Sequence, residues 1–76
     1  MYSINVVPPD EHSPVINRKM VADSAIQLLP VIVEICKVRY NYDNPVAVYM
    51  GNGAYHIFDL NNPEKHAVGT IHDLSG

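Results

Sequence analysis

The dipeptide Asn52–Gly53 constrains this chain more than any other feature. It separates two apolar runs, Val46 to Met50 and Ala54 to Leu60, and both central positions of a tight type I′ turn need the positive φ that asparagine and glycine tolerate best. A hairpin with these two residues at its tip is therefore expected. Counting outward from the tip without irregularity sets Gly51 opposite Ala54, Met50 opposite Tyr55, Tyr49 opposite His56, Val48 opposite Ile57 and Ala47 opposite Phe58. A second turn cluster, residues 61–65, leads into a last strand from His66 to His72. Placing Leu60 opposite His66 then brings Thr70 beside His56.

Upstream, Tyr2 to Val7 is rich in β-branched residues and is stopped by Pro8–Pro9, so it reads as a first strand. Ser13 and Pro14 fit the N-cap and first position of a helix. From Met20 to Tyr40 apolar residues recur at helical spacing. One row holds Val21, Ala25, Leu28, Ile32 and Ile35, and its neighbour holds Ala22, Ile26, Leu29, Val33, Cys36 and Tyr40. Pro30 lies on the opposite, polar side, where it either bends the helix or breaks it at Leu29. Residues 41–44 and Pro45 end the helix. The expected fold is α+β, in the order β-α-β-β-β: one long helix packed on a small, mainly antiparallel sheet, with 1–76 forming a single domain.

With the hairpin registered as above, one sheet face carries Val46, Val48, Met50, Tyr55, Ile57, Ala67, Gly69 and Ile71. The other carries Ala47, Tyr49, His56, Phe58, Leu60, His66, Val68, Thr70 and His72. The first is the more uniformly aliphatic of the two, and Ala67 and Gly69 leave room for a helix to lie close, so it is assigned to the core. The second is left for solvent or a partner. Amphipathic rings on such a face are what protein interfaces use, which makes Tyr49, His56, Phe58, Val68, Thr70 and His72 the candidate partner-binding residues. A helix of more than twenty residues would also overhang strands of six or seven, leaving apolar surface that a second copy could cover; a homodimer is one expected outcome.

The remaining totals exclude more than they assign. Five Lys/Arg against eight Asp/Glu give a net charge of −3, so no field draws a duplex phosphate backbone, and no run of carboxylates imitates one. A single cysteine and the lack of a glycosylation sequon point to a reducing compartment. The first dozen residues lack a basic region followed by an apolar run, and the longest uncharged apolar stretch, Ala25 to Val33, is far short of the ~20 residues of a membrane span. A soluble cytoplasmic protein is expected.

Sites of chemistry are weighed in turn. His56, His66 and His72 are the candidates for a metal set, but no histidine pair has helical metal-site spacing and no CxxC is present, so no metal or cofactor is expected. Cys36 sits in the apolar stripe and reads as an inert core thiol rather than a nucleophile. The acidic–polar cluster Asp10, Glu11 and His12 is accounted for by helix-end electrostatics or plain solvation. Gly51-Asn52-Gly53 joins two strands and does not open a helix, so it is not a phosphate loop. The chain is not expected to be an enzyme. The alternative to protein binding is single-stranded nucleic acid or another ligand on the ring-bearing face. Against it stands the want of Lys or Arg on the meander strands, Lys65 in the turn being the nearest.

In size, mildly acidic balance and helix-plus-sheet layout, the chain resembles small accessory proteins of phages and mobile elements, some of which inhibit host defence systems, the anti-CRISPR proteins among them. The resemblance lies in overall layout and carries no residues over. It implies a non-enzymatic inhibitor that binds another protein and blocks a surface of a host complex.

Overall fold

Five antiparallel strands form one sheet, with a helical layer on one side. The computed structural model describes residues 1–10, 12–61 and 66–74. The strands are β1 (Tyr2–Val6), β2 (Ile16–Met20), β3 (Pro45–Gly51), β4 (Ala54–Asp59) and β5 (Ala67–Asp73), and their order across the sheet is β2-β1-β5-β4-β3. The α+β class and the antiparallel sheet match the sequence reading. Most of the turn expected at 61–65 lies outside the described residues.

The long helix from Met20 does not form. Ile16–Met20 pairs antiparallel with β1, Ile16 opposite Val6 and Met20 opposite Tyr2, and the helical run begins only at Ala25. It is 15 residues long: a 3₁₀ turn (Ala25–Leu28), an α-helix α1 (Leu29–Glu34) and a π turn (Ile35–Arg39). Pro30 occupies the first turn of α1, where a missing N–H costs least, so it marks the passage from 3₁₀ to α geometry. Ser13 and Pro14 cap no helix. They sit in a turn organised by Asp10, whose Oδ1 accepts from the backbone N–H of Ser13 (2.7 Å) and of His12 (2.9 Å). These bonds, that from Ser13 foremost, hold the Asp10 carboxyl below the ordinary carboxylate range.

Ala25, Leu28, Ile32, Cys36 and Tyr40 form the buried spine of the helical layer, while Ile26, expected in the stripe, is exposed. The spine meets Ile4 and Val6 of β1, Ile16 of β2, Ile57 of β4 and Ile71 of β5. Gly69 makes close approach of the layers possible: a Cβ there would stand 3.1 Å from Ile32 Cδ1 and 3.2 Å from the Asn5 carbonyl oxygen. The space expected at Gly69 is thus filled by Ile32. Two tyrosines following the π turn tie down the β1–β2 connection. The Tyr40 hydroxyl donates to the Pro14 carbonyl and that of Tyr42 to the Val7 carbonyl. With a run of 15 residues, the helix overhang that favoured a homodimer is removed.

The hairpin turn forms as expected, with Asn52 at φ 53° and Gly53 at φ 74°. The register behind it does not. Gly51 also takes positive φ, 89°, and Gly51 pairs with Ala54 while Tyr49 pairs with Tyr55, leaving Met50 as an extra residue. A bulge of this kind moves every residue beyond it to the other face. Val48 therefore lies opposite His56, Val46 opposite Phe58 and Ala47 opposite Ile57. The β4–β5 register is the expected one, with Thr70 opposite His56 and Gly69 opposite Ile57. A second bulge then sets Ala67 opposite Phe58.

Candidate outer-face site

Strand alternation and the pairings above divide the sheet into two faces. The helical layer packs on the side of Ile4, Val6, Ile57 and Ile71. On the uncovered side, Val46, Val48, His56, Phe58, Thr70 and His72 stand together with Ser3, Asn5, Asn17 and Lys19. The rings form a chain: His56 and Phe58 centroids are 6.2 Å apart, and His56 and His72 are 6.1 Å apart at 70°.

Four of the six residues expected to bind a partner, His56, Phe58, Thr70 and His72, thus share one face. Two do not. Tyr49 is turned to the other side of β3 by the Met50 bulge, and its ring packs on Tyr55 with centroids 5.1 Å apart. Val68 is the displaced residue of the β4–β5 bulge. It is buried in the core, and its carbonyl accepts from Val7 N–H at 2.8 Å. The surface gains Val46 and Val48, which the unbulged register assigned to the core. It also gains Lys19, opposite Ser3, which in turn faces His72. The signal for Val48 was Gly51 itself, since a glycine flanking a turn can take the positive φ of a bulge.

A cleft of about 580 Å³ is lined by Asp10, Ser13, Arg39, Tyr40, Tyr42 and Asp59 among others. The carboxylates of Asp10 and Asp59 and the hydroxyls of Tyr40 and Tyr42 are already employed. Asp59 Oδ1 accepts from Asn44 N–H (3.0 Å) and Asn61 N–H (3.1 Å), clamping the start of β3 to the end of β4. Asp10 holds its turn, and both tyrosine hydroxyls donate to backbone carbonyls. Beside the cleft's Asp59, Cys36 is fully buried. Burial first, and the Asp59 charge second, push its thiol up to about 11. A group so seldom ionised is a poor nucleophile at neutral pH.

Among the described residues no three His, Cys, Asp or Glu side chains lie together as a metal site would require. No helix among them is long and apolar enough to cross a membrane. In comparisons with known proteins, no family model matches the chain, and no curated protein or solved structure does so.

Proposed function

We propose that the chain is a non-enzymatic protein-binding module, acting in the cytoplasm, that docks through the outer sheet face centred on His56 and Phe58. The observation that carries the reading is the connected row Phe58–His56–His72, flanked by Val46 and Val48, on the side of the sheet that the helical layer leaves uncovered. Rings with an apolar body and a polar edge contribute binding area at low entropic cost, and interface energy concentrates in a few such residues. The narrower form of the proposal, a phage or mobile-element inhibitor that blocks a surface of a host complex, is supported by size and layout.

The test is capture of a binding protein from a cytoplasmic extract with the intact chain as bait. Phe58→Ala and His56→Ala should each weaken capture by about tenfold or more, as loss of a central interface ring does. Ile26→Ala, on the exposed side of the helical run, should leave it unchanged. Equal capture by all variants would remove the proposal.

One observation favours a second reading, single-stranded nucleic acid. Because β2 joins the sheet, Lys19 lies on the ring-bearing face, where the sequence alone had placed no cation. Titration with a short single-stranded oligonucleotide separates the readings, since nucleic-acid binding would weaken steeply with added salt and shift the His56 and Phe58 ring resonances.

A further inference from the structure

The sheet ends in two edges of unlike character. On β2, Arg18 and Lys19 occupy successive positions and so point to opposite faces, a common guard against another strand. On β3, nothing between Pro45 and Gly51 is charged, and Ala47 to Met50 are exposed, Val48 at 42% and Tyr49 at 59%.

The direction of the β3 backbone follows from one bond. Leu60 N–H donates to the Asn44 carbonyl at 3.1 Å, so in the antiparallel ladder Val46 and Val48 exchange bonds with Phe58 and His56 of β4. By alternation, Ala47 and Tyr49 aim both N–H and C=O at the open edge, and Pro45 offers a carbonyl alone. We propose that a second copy of this chain pairs with that edge, β3 against β3 antiparallel, across a two-fold axis at Val48. Ala47 then lies opposite the partner's Tyr49, and Tyr49 opposite the partner's Ala47. The two pairs supply four N–H···O bonds between the chains.

Three features select a second copy. The segment is complementary to itself about Val48, because a small residue meets a large one in both outer pairs and β-branched valines meet at the axis. An uncharged strand meets its own copy without like-charge repulsion. A register centred on Ala47 would make the same number of bonds but set Tyr49 against the partner's Pro45, which has no N–H to give, so each of its outer pairs closes with one bond where the axis at Val48 closes each with two. Pro45 at one end and the Met50 bulge at the other limit the pairing, and the cationic β2 edge stops it from propagating, so the product is a closed dimer.

The experiment is sedimentation velocity of the intact chain up to about 1 mM, since an interface this short is of the weak class. The expected result is a weight-average mass rising with concentration from 8.5 kDa towards twice that value. Val48→Lys brings two ammonium groups together at the axis and should weaken association at least tenfold, whereas Ile26→Lys adds the same charge elsewhere and should not. Ala47→Pro deletes an N–H that the monomer's own ladder does not use, so it should abolish dimers while the far-ultraviolet spectrum and thermal unfolding stay those of a folded chain. A monomeric wild type, or dimers that survive Val48→Lys and Ala47→Pro, would overturn the proposal. An Ala47→Pro monomer that still captures a binding protein would separate this edge from the outer-face function.

Discussion

Truncating Ile32 to alanine is expected to lower the unfolding free energy by about 2–5 kcal/mol, the cost of a cavity at a closed aliphatic site. Ile32 is fully buried, lies in the middle of the spine Ala25–Leu28–Ile32–Cys36–Tyr40, and reaches the sheet at Gly69, where no side chain of the opposite layer can move in to fill the space. A domain of this size commonly has only about 5 kcal/mol in hand, so the loss approaches the whole. Urea titration followed by circular dichroism should show the midpoint collapsing towards zero denaturant. Ile26→Ala is the matched control. Its side chain is 63% exposed, and its removal should change stability by no more than about 0.5 kcal/mol. Comparable losses in the two variants would mean that the helical run packs on a different face.

The second large effect is a loss of stability in alkali. The Cys36 thiol is raised from 9.0 to about 11 in the folded chain, by burial above all and then by the Asp59 carboxylate. Between those values the folded thiol keeps its proton while the unfolded one gives it up. The native state therefore binds more protons, and stability must fall as pH rises. Below pH 9 the effect is nearly absent; by pH 11 it is about 2 kcal/mol, and at higher pH it approaches roughly 3 kcal/mol, two pKa units at ~1.4 kcal/mol each. The Tyr42 hydroxyl, also raised by burial, steepens the same limb. Unfolding measured from pH 8 to 11 should show this decline, and Cys36→Ala should be weaker at neutral pH but flatter in alkali. A wild-type profile level through pH 11 would contradict the burial of the thiol beside Asp59.

How much of this was legible in the sequence can be read at individual residues. Asn52–Gly53 announced the hairpin because two adjacent positive-φ positions admit few other residues. The β4–β5 register, expected from setting Leu60 opposite His66 across the turn, holds at His56–Thr70 and Ile57–Gly69, where one buried face enforces alternation, and fails from Phe58 on, where the bulge at Val68 intervenes. The strand β2 was hidden for two reasons. An edge strand needs few apolar residues, and of Ile16, Asn17, Arg18, Lys19 and Met20 only the ends are apolar. In addition, the helical spacing that begins near Ala25 extends by chance back to Met20. The Met50 bulge was hidden because Val46 to Met50 are all apolar, so no change from apolar to polar marks the switch of face, and the bulge shows itself only in the backbone of Gly51. That single residue redistributed the candidate site. It kept His56, Phe58, Thr70 and His72 together, removed Tyr49 and added Val48.

This bulge decides which side chains the sheet leaves uncovered, and a nuclear Overhauser spectrum of the hairpin reads its register. The bulged register predicts cross-peaks between the Tyr49 and Tyr55 rings and between the Val48 methyls and the His56 ring. Cross-peaks from Tyr49 to His56, with the Val48 methyls against those of Ile57, would contradict it and return Tyr49 to the outer face.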